Sequence, residues 1–150
     1  MRIAVGSDHA GFHLKQAVAA DLVQRGHEIL DLGTDSADRS VDWPDFGESV
    51  ARAVVDGRCD LGVAVCGSGI GVAIAANKVR GARAATAHDV TSARLAREHN
   101  HANVLCLGER LIGMTVALEA VVAWLEATPG GGRHQNRIDK LDALDSAPGN

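Results

Sequence analysis

The chain is nearly without aromatic residues, having two Trp, two Phe and no Tyr in 150 positions. Stacking side chains are therefore not the material of its functional site. A basic excess is also missing. Fifteen Lys and Arg face 19 Asp and Glu, a net charge of −4 that leaves no general nucleic-acid footprint. No apolar run approaches the ~20 residues of a membrane span, and the N-terminus enters a strand-like pattern without a signal peptide. Neither nucleic acid nor membrane is an expected partner. The three cysteines, Cys59, Cys66 and Cys106, are odd in number and contain no C-x-x-C. That pattern speaks against a disulfide scaffold or zinc ribbon and for a reducing cytoplasm.

Glycine is what the chain has in excess, 17 of 150 residues against roughly 7% in average usage. Such a composition suits a site built from backbone groups. The length corresponds to one domain, 1–150, able to bury roughly 70% of its unfolded surface, with about 146–150 as a frayed tail. Short apolar runs alternate with helical stripes along the whole chain. Strands are expected at Ile3-Ala4-Val5, Glu28 to Leu32, Leu61 to Val65, Ala82 to Thr86 and Asn103 to Leu107. Helices are expected through Leu14–Val23, Phe46–Val54, Val72–Asn77, Thr91–Glu98, Thr115–Leu125 and Arg133–Leu144. Five strands alternating with helices predict a parallel sheet between helix layers, a Rossmann-like α/β/α sandwich with right-handed crossovers. Pattern alone leaves the strand order open. The last helix is polar, carries only Ile138, Leu141 and Leu144 as large apolar residues, and is detached by Gly130-Gly131-Gly132. It reads as an arm that packs on a neighbouring subunit.

Ligands of open parallel sheets gather at the carboxyl ends of strands. Three rich stretches fall near expected strand ends: Gly6-Ser7-Asp8-His9, Cys66-Gly67-Ser68-Gly69-Ile70-Gly71, and Arg97-Glu98-His99-Asn100-His101. The glycine stretch is an incomplete dinucleotide fingerprint, because position 72 is valine. Its unhindered N–H groups could hold a phosphate or an oxyanion that develops in a reaction, or the loop could be a bare turn. Cys66 stands at its mouth. An unperturbed thiol, pKa ~8.5, needs about 2 kcal/mol to be half-ionised at neutral pH. A helix terminus supplies roughly 0.3–1 kcal/mol, so the Ser68 hydroxyl or loop amides would have to contribute. Cys59 and Cys106 read as packing residues. Arg133 and Arg137 lie one helical turn apart and form either a solvated face or a phosphate clamp. His99 is a candidate acid or base. His99 and His101 lack a third ligand for a metal site, and His13, His27 and His88 show no role.

Six stretches together resemble the ribose-5-phosphate isomerase B (RpiB/LacAB) family of sugar-phosphate isomerases. They are Gly6-Ser7-Asp8-His9-Ala10-Gly11-Phe12, Asp42-Trp43-Pro44, Cys66 to Gly71, Ile74-Ala75-Ala76-Asn77-Lys78, Arg97-Glu98-His99-Asn100 and Gly132-Arg133-His134-Gln135. They run in the family's order over about residues 2 to 140. The resemblance implies a homodimer or tetramer with active sites at the subunit interface, without metal or organic cofactor. It implies interconversion of ribose 5-phosphate and ribulose 5-phosphate through a cis-enediolate. Relatives in that family act on allose 6-phosphate, galactose 6-phosphate or tetrulose phosphates, and a non-catalytic phosphate- or nucleotide-binding module is the reading of a different class.

By the same resemblance, Cys66 is the base, and the amides of Gly67, Ser68, Gly69, Ile70 and Gly71, with the Ser68 hydroxyl, hold the enediolate. His99 assists ring opening, Asp8 and Asn100 bind sugar hydroxyls, and His9, Arg110, Arg133 and Arg137 bind phosphate, some from the partner. Three positions depart from the commonest family pattern. Val72 stands where some members carry a glutamate base, which places the chain with the cysteine users. Trp43 replaces a frequent tyrosine, and Ser68 a frequent threonine.

Overall fold

Residues 1–145 are described by the computed structural model; the expected frayed tail, 146–150, lies outside the described residues. The elements run β1 (Arg2–Ser7), a 3-10 turn (His9–Gly11), α1 (Phe12–Gln24), β2 (Glu28–Asp31), α2 (Trp43–Val55) and β3 (Leu61–Cys66). They continue with α3 (Ile70–Ala76), β4 (Ala84–Thr86), α4 (Val90–Asn100), β5 (Val104–Gly108), α5 (Met114–Glu126) and α6 (Arg133–Asp145). Every expected strand and helix is present. The strand expected from Ala82 begins only at Ala84, and α2 starts earlier than its apolar stripe, with Pro44 in its first turn. Proline there costs nothing, because a first-turn N–H has no helical partner to lose.

Four parallel ladders build one sheet in the order β2-β1-β3-β5-β4. The period of two divides the core between its faces. Ile3, Val5, Val63, Val65, Leu105 and Leu107 point one way, against Leu14, Val18 and Leu22 of α1 and Val121 and Trp124 of α5. Ala4, Ala64, Cys66, Val104 and Cys106 point the other way, against Val50 and Ala53 of α2 and Val72 and Ala76 of α3. The small residues on that second face let α2 and α3 lie close. Three layers result.

The strand order has one consequence that matters for chemistry. From β1 the chain steps outward to β2, then returns across β1 to lay down β3. The ends of β1 and β3 are direct neighbours, with Ser7 paired to Val65, and their following loops leave in opposite directions. A crevice opens at that switch point, and both Asp8 and Cys66 stand on its rim.

The last helix meets its own chain. Ile138 is buried, Arg83 pairs with Asp142 at 3.0 Å, and the Gly81 N–H donates to Asp145 at 2.7 Å. Leu141 and Leu144 stay exposed. The helix docks on its own subunit through one face.

A buried cation ties α1 to β2. Lys15 is 1% exposed, and its Nζ donates to both Asp31 oxygens (2.7 and 2.9 Å) and to the Thr34 carbonyl (2.8 Å). Removing the cation leaves a carboxylate that water can partly recover, since the Asp31 side chain is 42% exposed. Lys15→Met should therefore lower stability by about 1–3 kcal/mol, less than the ~3–5 kcal/mol of a fully buried pair. Urea unfolding checks this, and an unchanged midpoint would contradict it.

Candidate active site

Asp8 follows β1 directly and caps the 3-10 turn. One carboxylate oxygen, Oδ1, accepts the N–H groups of Ala10 and Gly11, both at 3.0 Å. Burial raises its pKa above the ordinary carboxylate value, opposed by His9, the two amides and Arg110. The Val41 N–H donates to His9 Nδ1 at 3.2 Å. A ring nitrogen that accepts carries no hydrogen, so the neutral ring has its hydrogen on Nε2. His9 is a donor on the cleft side.

Cys66 is the last residue of β3, and its Sγ accepts the Gly69 N–H at 3.1 Å. That contact requires Gly69 in the left-handed region, φ +75°, and a Cβ there would meet the Leu107 backbone at 2.9 Å. Glycine is the one residue that fits. Of the two sources expected to assist the sulfur, an amide does so. The Ser68 hydroxyl accepts the Ile70 N–H at 3.3 Å instead. Burial pushes the Cys59 thiol pKa up, and Cys106, deeper still and close to Cys66, is raised further. Both stay protonated packing residues, as expected. Arg110 is tied back to the loop by its N–H on the Gly67 carbonyl at 3.1 Å. Its neighbour Glu109 is committed elsewhere, accepting the Leu14 N–H in the first turn of α1 at 2.9 Å.

These groups line one cleft of about 410 Å³, formed by Asp8, His9, Ala10, Trp43, Cys66, Gly67, Ser68, Gly71, Arg110 and Leu111. Seven of the expected site residues meet there: Asp8, His9, Cys66, Gly67, Ser68, Gly71 and Arg110. Gly69 is buried behind the loop, and Ile70 is exposed at the start of α3. The thiol is deep but opens onto the cleft.

His99, Asn100, Arg133 and Arg137 are elsewhere. The stretch Arg97–His101 read as a strand-end loop, but it is the carboxyl end of α4. In a strand–helix–strand unit the helix runs back against the strands, so its end lies at the amino edge of the sheet. His99 stacks on His134, ring centroids 4.4 Å apart, beside a second hollow of about 610 Å³ that also touches Arg94, Glu98 and Gly130. Asn100 borders a separate groove with Asn77 and Arg83. Arg133 and Arg137 are exposed on α6. Burial and the nearby charges of His99, Arg133 and Arg137 lower the His134 pKa. The glycine linker is pinned at this edge: the Gly130 N–H donates to the Glu98 carbonyl at 2.8 Å, and His101 Nε2 donates to the Gly130 carbonyl at 2.7 Å.

Two contacts escaped the sequence reading. The Trp43 indole lies on Gly71, where a Cβ would fall 2.8–3.0 Å from three ring carbons. His88, given no role, has Nε2 3.1 Å from the Ser68 carbonyl. Its place just after the fourth strand was the available signal, and the unknown strand order concealed it.

The Ribose/Galactose Isomerase family model matches residues 3–141. The chain belongs to that family. It is 46% identical over 144 residues to ribose-5-phosphate isomerase B of Escherichia coli, covering 96% of each chain. A solved structure of ribose-5-phosphate isomerase B from Clostridium thermocellum superposes with a TM-score of 0.95 at 49% identity, covering 97% of this chain and 98% of that one. Ribose-5-phosphate isomerase B from Mycoplasma genitalium, solved with bound ribulose-5-phosphate, superposes with a TM-score of 0.92 at 40% identity, covering 97% and 96%.

In this member of the family the indole–glycine contact makes a two-way prediction. Gly71→Ala should cost about 1–2 kcal/mol by overpacking. In a Trp43→Ala background the same change should stabilise by up to ~1 kcal/mol, because alanine is the better helix residue within α3. Urea unfolding of the four proteins decides; an equal cost in both backgrounds would remove the indole as the cause.

Proposed function

We propose that the chain interconverts ribose 5-phosphate and ribulose 5-phosphate, as one cytoplasmic domain, with Cys66 as the base and no metal or organic cofactor. The broader class, sugar-phosphate aldose–ketose isomerase, follows from the family. The supporting observation is the cleft itself: a thiol receiving a backbone N–H, facing His9, Asp8 and Arg110.

The Cys66 thiolate takes the C2 proton of the open-chain aldose, whose electrons form the C1–C2 double bond and leave charge on O1. The proton returns to C1 while the O2 hydrogen passes to O1, giving the ketose. A C2 proton is weakly acidic, so stabilising the charge on O1 is the largest demand on the enzyme. The Ser68 O–H and the loop N–H groups other than those of Gly69 and Ile70, which serve Cys66 and the Ser68 oxygen, meet it. Asp8 has its Oδ2 free of the turn it caps and holds a sugar hydroxyl. His9 Nε2 and Arg110 take phosphate, away from the sulfur, where a dianion would oppose thiolate formation.

Ring opening by His99, the Asn100 contact and the Arg133–Arg137 clamp require a second copy of the chain. Along a strand like β3 the amino edge is roughly 20 Å from the Cys66 end, too far for one subunit to use both. A homodimer that sets α4 and α6 of one copy over the cleft of the other completes the set. Exposed Ile70 and Ile74, one turn apart on α3 beside the cleft, offer apolar surface for it.

Ketose formation followed over ribose 5-phosphate, allose 6-phosphate, galactose 6-phosphate and erythrose 4-phosphate tests the substrate. Ribose 5-phosphate should be turned over fastest, and Cys66→Ala should lose at least ~10²-fold in kcat, the scale of a missing general base. No turnover of the pentose phosphate would sink the ribose assignment and leave the class. Mixing addresses the shared site. Cys66→Ala and His99→Ala, each nearly inactive, should regain about a quarter of wild-type activity when unfolded and refolded together, because each two-fold heterodimer holds one intact site. No regain would place both residues in a single subunit's site or exclude His99 from it.

A further inference from the structure

We propose that His88 is a positioning residue for Cys66, acting through one peptide plane of the glycine loop. The C=O and N–H of a trans peptide point in opposite directions. In the unit joining Ser68 to Gly69, the carbonyl lies 3.1 Å from His88 Nε2 and the N–H lies 3.1 Å from Cys66 Sγ. A carbonyl only accepts, so His88 donates from Nε2. The connection is continuous: imidazole N–H to carbonyl, amide N–H to sulfur. A donor on the carbonyl polarises the amide and strengthens its N–H toward a thiolate.

The neighbouring plane is held from the same side. Thr86 Oγ1 donates to the Gly69 carbonyl at 3.1 Å. Gly69 would otherwise turn easily, being a glycine in the left-handed region. Thr86 and His88 stand at the end of β4, which is separated from β3 by β5. They reach the loop because β5 ends in Gly108, whose missing side chain lets Ser68 lie directly on it; a Cβ there would meet the Ser68 carbonyl carbon at 2.5 Å. Asp89, beside His88, is occupied by Ser92, whose N–H and hydroxyl it accepts at 2.8 and 2.7 Å.

The effect on turnover rests on Cys66 being the base, but the effect on the sulfur does not. The test therefore reads the sulfur. Alkylation of Cys66 by iodoacetamide in the full chain is followed by peptide mass spectrometry from neutral to alkaline pH. His88→Gln keeps an N–H donor of similar reach, and His88→Leu keeps bulk without a donor. The groups facing Cys66, namely Asp8, His9 and Arg110 in the cleft and Cys106 on β5, are the same in all variants. His88→Leu should slow alkylation at neutral pH by about 3- to 10-fold and move its profile to higher pH, and His88→Gln should stay within about 2-fold of wild type. His88→Ala replaces the leucine variant if circular dichroism shows that leucine disturbs the fold. Equal rates in wild type and the donor-free variant, or a glutamine variant as slow as the donor-free one, would overturn the assignment. In the isomerase assay kcat should fall with KM held. A wild type without sugar-phosphate turnover would remove the proposed function while the alkylation comparison still decides the role of His88.

Discussion

The pairing of β1 with β3 is the constraint on which the cleft depends. These strands are far apart in the chain, yet their parallel ladder ends with Ser7 beside Val65. The next residues on each side are Asp8 and Cys66, and a shift of register would separate them. Because β2 and β5 lie on opposite flanks, the loops diverge and leave a crevice instead of closing over it. The fully buried β3 holds that register rigidly, since slipping by one residue would turn Cys66 from the α2–α3 face to the other.

Much of the rim of this crevice is backbone, supplied by the glycine loop after β3. Amides need no rotamer to be chosen and carry no charge to be desolvated, so they are pre-oriented hydrogen-bond donors. Their orientation has to come from outside the loop. Asp8 orders its own turn, Val41 sets the His9 ring, and Thr86 and His88 hold the carbonyl side of the glycine loop. Small residues make those approaches possible: Gly108 admits the loop backbone, and Gly71 admits the Trp43 indole. The scarcity of aromatic residues gives that indole added weight in the shape of the cleft.

A single subunit holds two separate sets of polar groups, one at each edge of the sheet. The reason is geometric. Every crossover helix returns antiparallel to its strands, so α4, and α5 with the linker to α6, end at the edge opposite Cys66. The pinned glycine linker, with Gly130 bonded to Glu98 and His101, keeps the His99–His134 and arginine set in place. In the two-fold assembly we propose, each copy lends its amino-edge groups to the other's cleft.

Alternating apolar runs and stripes were enough to read all five strands and six helices, because period and burial are local properties of the chain. The continuous apolar run Leu61–Val65 marked the central strand for the same reason. The motifs Gly6–His9 and Cys66–Gly71 were legible as site material, since glycines beside chemically able side chains at strand ends have few other uses. Sequence could not order the strands, because order is set by packing between distant segments. It therefore misread Arg97–His101 as part of the same edge as Cys66, and it passed over His88 and the Trp43–Gly71 contact. Which sulfur receives an amide, which histidine steadies that amide, and which groups one chain keeps apart were decided only when the sheet brought β1, β3, β5 and β4 side by side.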